Sequence, residues 1–157
     1  MSTNKKEVRS FGIHLSIILR RGQMYLDRKL EPLDVRSGQI PILRLLGIKD
    51  GINQENIRKF LHLDKGTVAK TIKPLILKGY VTRKTDPRDK RAYQIFLTRK
   101  GHEIMPDVNG AIAVWTEALT ADFTEKEKDT AHDLLSRMSK NARTHLKHYG
   151  SESNGKA

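Results

Sequence analysis

Two short clusters of cations carry the chemistry of this chain. Lys65, Lys70 and Lys73 are spaced along KGTVAKTIK, and Arg88, Lys90 and Arg91 crowd into DPRDKR. Lysine and arginine at such spacings neutralise phosphates. Thr67 and Thr71, interleaved with the lysines, can meet base edges or phosphate oxygens. The formal net charge is +12 over 157 residues. Between Asp64 and Lys100, eleven Lys and Arg face three Asp, a net +8 in a quarter of the chain. A charge that served only solubility would be spread more evenly, so this concentration points to an anionic partner.

Other chemistries find no support. With no cysteine, disulfides, thiol redox sensing, cysteine zinc sites and cysteine nucleophiles are excluded. No Ser/His/Asp constellation stands at recognisable spacing. Neither a G-x-x-x-x-G-K-[ST] loop nor a G-x-G-x-x-G loop occurs, so an enzyme is not expected. His145 and His148 lie three apart and His132 lies upstream. They lack nearby acidic or sulfur partners and read as exposed side chains, so no metal or other cofactor is expected. The first residues are polar and no apolar run approaches the ~20 residues of a membrane span. The chain reads as cytoplasmic.

The elements that hold the two clusters follow from local pattern. Ile57, Phe60 and Leu61 form a short apolar helix pattern capped by Asn53, and a turn at His62-Leu63 follows it. Asp64 can cap a second helix by accepting from the N–H of Gly66 or Thr67. Val68, Ile72, Leu75 and Ile76 give that helix one buried face, leaving the lysines and threonines outside it. Two helices joined by a short turn read as helix-turn-helix. The second helix stops at Lys78-Gly79, where Gly79 supplies a left-handed residue. Strand patterns at Tyr80–Lys84 and Ala92–Leu97 then flank residues 85–91, a hairpin with a basic, proline-containing tip. Such a hairpin beside a recognition helix is a wing, suited to a minor groove or a phosphate track. Gly51-Ile52 can add a short third strand.

The residues Leu61-His62-Leu63-Asp64-Lys65-Gly66-Thr67-Val68, Leu75, Lys78-Gly79-Tyr80-Val81, Asp86-Pro87-Arg88-Asp89-Lys90-Arg91, Leu97-Thr98 and Lys100-Gly101 resemble the MarR family of transcriptional regulators. The resemblance implies a dimeric winged-helix binder of duplex DNA, usually a repressor, often released by a small phenolic or other aromatic ligand. It also implies that Arg91 makes the wing-tip minor-groove contact. In the family, an arginine with an aspartate two residues earlier has that part, so Asp89 would orient Arg91. Arg88 and Lys90 then meet phosphates. One departure is Pro74 inside the second helix, where it removes an N–H and predicts a bend. Lys65–Lys73 would be the part that enters the groove.

Outside residues 33–98, the expected winged helix-turn-helix core, the pattern is helical. Val8, Phe11, Leu15, Ile18, Leu19, Leu26 and Leu30 predict a helix over 8–30, with Gly22 a weak point and Glu31-Pro32 its end. Val35–Ile48 is a second helix with Ser37 as cap and Ile40, Leu43 and Leu46 facing inward. Thr98 caps a long helix through Ile104, Val108, Ala111, Ile112, Trp115, Leu119 and Phe123, with a kink or break expected at Pro106 or Gly110. Thr124–Glu127 has capping-box spacing. The last helix carries Ala131, Leu134, Leu135, Met138, Ala142, Leu146 and Tyr149 on one stripe and is expected to end at Gly150. Residues 1–6 and 150–157 read as flexible tails.

The expected fold is therefore mainly α with a small β-hairpin wing, its core flanked by N- and C-terminal dimerisation helices over 8–30 and 99–149. The terminal stripes exceed what the core can cover, at roughly 25 cal/mol per Å² left in water. A two-fold homodimer would cover them and read a pseudo-palindromic operator in two half-sites. The resemblance further places an effector pocket where the first helix meets the winged-helix lobe. Candidates are His14, Ile17, Arg20, Arg21, Tyr25, Arg44 and Trp115, whose aromatic walls and arginines suit an aromatic carboxylate. The competing reading is a basic winged-helix adaptor for RNA or protein without ligand control. Against it, Tyr80, Tyr93 and Phe96 read as strand packing rather than base-stacking platforms.

Overall fold

A computed structural model describes the backbone of residues 10–153 and side chains to residue 145. Its order is α1 (Phe11–Lys29), α2 (Ile40–Ile48), β1 (Ile52–Asn53), α3 (Gln54–Leu61), α4 (Lys65–Leu77), β2 (Val81–Thr85), β3 (Tyr93–Leu97), α5 (Arg99–Leu119) and α6 (Glu125–Ser153). Two 3₁₀ turns, Glu31–Leu33 and Ser37–Gln39, link α1 to α2. The chain divides into two compact units between Trp115 and Thr116, within α5.

The first unit holds the winged-helix core. Its sheet is antiparallel in the order β1-β3-β2, with Val81 opposite Leu97 and Thr85 opposite Tyr93. Beneath it α2, α3, α4 and the first part of α5 bury one cluster, including Ile42, Leu43, Leu46, Ile57, Val68, Ile72, Leu75, Ile95, Ile104 and Val108. The strands begin one residue later than the pattern predicts, because Tyr80 belongs to the turn rather than to β2. Its ring is buried and its hydroxyl donates to the Leu33 carbonyl at 2.8 Å. Burial, followed by the Asp34 charge, pushes the Tyr80 hydroxyl pKa up.

Both ends of α4 are fixed. At its start the Asp64 carboxylate accepts from the Thr67 N–H at 2.8 Å. At its end Gly79 takes φ +75 and the Tyr80 N–H returns to the Leu75 carbonyl at 3.0 Å. Lys78 pairs with Asp34 at 3.1 Å. The Thr98 N–H donates to the Tyr80 carbonyl at 3.0 Å, and the Thr98 hydroxyl accepts from Gly101 N–H at 3.0 Å as cap of α5. A Cβ on Gly101 would lie 2.1 Å from that same Tyr80 oxygen, so α5 meets the α4 turn at a distance only glycine permits.

Several expectations need correction. Ser37 does not cap α2. Gln39 precedes that helix, and the Ser37 N–H donates to Asp27 at 2.6 Å instead. Gly22 is not a weak point of α1. It is buried against the Trp115 indole, where a Cβ would stand 2.9 Å from Nε1. Phe60 lies outside the core, 68% exposed. Of the kink or break expected at Pro106 or Gly110, the break does not occur, since α5 is continuous there; α4 is likewise continuous through Pro74 to Leu77, where the sequence predicts a bend and not a break. A proline removes a single backbone bond, and the buried face of Ile104, Val108 and Ala111 holds the α5 helix together across it. Val8 and the tail over 1–6 lie outside the described residues.

In the second unit, Thr124 and Glu127 form the reciprocal capping box: Thr124 N–H donates to Glu127 at 2.8 Å and Glu127 N–H to the Thr124 hydroxyl at 3.3 Å. The bond from the Thr124 N–H, with that from its hydroxyl, holds the Glu127 carboxyl below the usual range. α6 does not stop at Gly150 but continues to Ser153, since a helical glycine costs only about 1 kcal/mol relative to alanine. Residues 154–157 lie outside the described residues.

Two outcomes follow from the fixed ends of α4. Gly101→Ala should destabilise the protein by about 1–3 kcal/mol through the forced clash with the Tyr80 carbonyl, read as a lower urea midpoint. The hydrogen bonds from Thr67 hold the Asp64 carboxyl below the usual carboxylate range. Its contribution is thus fully present above the ordinary carboxylate pKa and lost as pH falls through the depressed folded value. Asp64→Asn should match the parent at neutral pH yet show a shallower loss of melting temperature with acid, whereas Asp64→Ala should be less stable at neutral pH.

Candidate nucleic-acid interface

The turn between α3 and α4 is made by His62, which takes the left-handed conformation at φ 54. The Leu63 N–H closes onto the Arg58 carbonyl at 3.1 Å. This aims the start of α4 outward while Val68, Ile72 and Leu75 anchor its inner face. Lys65, Lys70 and Lys73 are exposed, and among the described residues none pairs with a carboxylate. Thr67 and Thr71 are half-buried. The Thr67 hydroxyl donates to Asp64, and the Thr71 hydroxyl donates to the Thr67 carbonyl at 2.8 Å. Both hydroxyl protons are therefore used within the helix and its cap, and each threonine side chain has left a hydroxyl oxygen that can accept and a methyl group.

The wing tip is shaped by two aspartates. Asp86 is 7% exposed; its carboxylate accepts from the Arg88 N–H at 2.9 Å and from the Gln94 amide at 3.4 Å. The Asp86 N–H donates to the Ala92 carbonyl at 2.9 Å, closing the loop base. Asp89 accepts from the Arg91 N–H at 2.9 Å. Asp89 thus sets the Arg91 backbone, whereas the expectation did not distinguish backbone from side chain. Arg88, Lys90 and Arg91 are exposed and, among the described residues, unpaired. Behind the tip, Arg83 lies over the Tyr93 ring at 4.6 Å and Lys84 over Phe96 at 5.0 Å, so two further cations are seated on β3.

Helix and wing face one concavity of about 420 Å³, which brings Lys65 and Ala69 of α4 together with Arg91 and Tyr93 of the wing. Its third wall is the start of α3, with Gln54, Glu55 and Arg58. Sequence reading missed that wall and Asp86. Glu55 grips Arg58 at 2.7 and 2.9 Å. The Arg58 hydrogen bonds, more than any charge effect, hold the Glu55 carboxyl down to about 2. The signal was legible as a carboxylate three residues ahead of an arginine on one helix face. The burial of Asp86 had no such signal, because it depends on the hairpin closing over it.

The pocket candidates are placed differently. Tyr25 stacks on Trp115 at 5.6 Å between centroids. His14, Ile17, Arg20 and Arg21 are exposed on α1. Arg44 lines a separate cavity of about 440 Å³ between α2 and α5, together with Ile48, His102, Met105, Asn109 and Ile112. His102 and Asn109 were not among the expected residues. No group of three or more metal-ligating side chains occurs among the described residues, and no helix there is long and apolar enough to cross a membrane.

Comparison with known proteins places this geometry. A family model described as the MarR family matches residues 36–93, the span from the residue before the second 3₁₀ turn to the first residue of β3. The helix-turn-helix-type transcriptional regulator YybA of Bacillus subtilis is 31% identical over 127 residues, 81% of this chain and 85% of the relative. The crystal structure of a MarR transcriptional regulator from Methanosarcina mazei is 38% identical with a TM-score of 0.80, covering 85% of this chain and 96% of that one. A mutant MarR from Escherichia coli, solved in complex with operator DNA, is 25% identical with a TM-score of 0.75 over 87% and 99% of the two chains. The likeness extends over most of the length of each of these regulators, and the chain belongs to the MarR family of winged helix-turn-helix transcriptional regulators.

Proposed function

We propose that this regulator acts as a homodimer that binds a pseudo-palindromic duplex operator and represses the adjoining gene until a small aromatic carboxylate releases it. One observation carries the DNA reading: unpaired Lys65 and Arg91 line the same groove, one from the helix and one from the wing. In this reading Lys65, Thr67, Lys70, Thr71 and Lys73 face the major groove, Arg91 enters the minor groove, and Arg88 and Lys90 hold phosphates. The E. coli relative's complex with operator DNA supports the same use of the fold.

Dimerisation is supported by apolar side chains left in water. On α1, Phe11, Ile13, Leu15, Ile17, Ile18 and Leu19 are exposed, and on α6 Leu134 and Leu135 are. A second copy covering the helices over 8–30 and 99–149 would remove that surface from solvent and set two recognition helices about one turn of duplex apart. Ligand release is supported by the Arg44 cavity, whose volume of about 440 Å³ suits a small ligand. Arg44 would hold a carboxylate and Met105, Ile48 and Ile112 a ring. Because α5 also docks on the α4 turn, a ligand that shifts α5 would move the recognition helix.

A footprint upstream of the protein's own gene should show paired half-sites on duplex DNA and none on RNA of the same sequence. There, Arg91→Ala should lower operator affinity with little change in melting temperature and flatten the log–log salt slope by about 0.9, one phosphate equivalent. An unchanged slope would remove Arg91 from the interface. Salicylate should raise the melting temperature and weaken the footprint, and Arg44→Ala should abolish both effects. No response to salicylate in either measurement would exclude that ligand class.

A further inference from the structure

The groove that collects Lys65 and Arg91 also contains two acidic side chains: Asp89, which accepts from the Arg91 N–H and shapes the wing, and Glu55, which has no such part in the wing. Glu55 stands in the first turn of α3, on the groove wall. Its two carboxylate oxygens take the Arg58 guanidinium edge-on, Oε2 from Nε at 2.9 Å and Oε1 from Nη2 at 2.7 Å. Lys59 lies 3.6 Å from the same carboxylate. The pair is exposed, and exposed pairs add little to stability. Its geometry is nonetheless the bidentate kind that fixes a guanidinium plane. A single carboxylate is therefore shared by two cations and fixes the orientation of one of them, on a wall of the groove that holds Lys65 and Arg91.

We propose that Glu55 is a specificity-determining residue: by clamping Arg58 it presents that guanidinium to the duplex in one orientation and discounts its attraction for duplexes that do not match it. A free Arg58 would swing to any phosphate within reach, which favours all sequences alike. A clamped Arg58 donates its remaining N–H groups only where the backbone or a base edge comes to it. The carboxylate itself repels phosphate and so lowers the affinity for every duplex, and the clamped guanidinium restores it only where an acceptor meets its free N–H groups. The operator then gains less from raw charge and more from fit.

This inference rests on the DNA reading above, and the experiment separates the two. Binding of the full-length protein to its footprinted operator and to a random-sequence duplex of equal length is measured across a series of salt concentrations. Four proteins are compared: parent, Glu55→Gln, Arg58→Gln and the double variant. Glu55→Gln should tighten the random duplex, steepen its salt slope by about 0.9, and lower the operator-to-random affinity ratio by about tenfold, with an almost unchanged melting temperature. In the Arg58→Gln background the same Glu55→Gln change should leave the ratio as it is. A ratio unaffected by Glu55→Gln, or a fall that persists without Arg58, would overturn the clamp while leaving DNA binding intact. A parent protein that binds neither duplex would overturn the DNA reading and the clamp with it.

Discussion

The Tyr80 carbonyl is the point on which the winged-helix unit turns. It accepts from Thr98 N–H where β3 gives way to α5, and the Cα of Gly101 passes so close that no side chain fits between. The Tyr80 hydroxyl at the other end of the residue reaches Leu33, in the linker that follows α1. Lys100 lies over the same ring at 4.8 Å and donates to the Lys78 carbonyl at 2.9 Å. One residue thus ties the end of the recognition helix to the start of α5 and to the linker below. Through these contacts the C-terminal end of α4 takes its direction, while Asp64 and the His62 turn set the other end.

With α4 held at both ends, its outer face is free of structural duties. The same division recurs in the wing, where Asp86 and Asp89 use their carboxylates on backbone N–H groups and, among the described residues, the side chains of Arg88, Lys90 and Arg91 pair with no carboxylate. Buried or short-range polar contacts build the frame, and long cationic side chains project from it. The frame is held by contacts within the chain, so a duplex need not supply them.

Much of this was legible in the sequence because it depends on local rules. Caps at Asn53, Asp64, Thr98 and Thr124, the glycine stop at Gly79 and the buried spacing of α4 each follow from a few neighbouring residues. Where local rules failed, a distant contact decided the outcome. Ser37 lost its capping role to a bond with Asp27, Gly22 turned from a weakness into a seat for Trp115, and Tyr80 left the strand for a bond to Leu33. Pro106 and Gly110 did not break α5, because burial on the inner face outweighs the loss of one backbone bond. The exposed cations of α4 and of the wing tip were legible from charge and spacing alone. The α3 wall with Glu55 and Arg58 was not, since only the folded turn brings it beside Lys65 and Arg91.

The separation of frame from projecting side chains also bears on how such a protein can change over generations. Lys65, Lys70 and Lys73 are exposed and, among the described residues, pair with no carboxylate, so exchanging them perturbs the scaffold little. A lineage can therefore drift through many recognition surfaces while keeping one stable architecture, acquiring new target genes without passing through an unfolded ancestor.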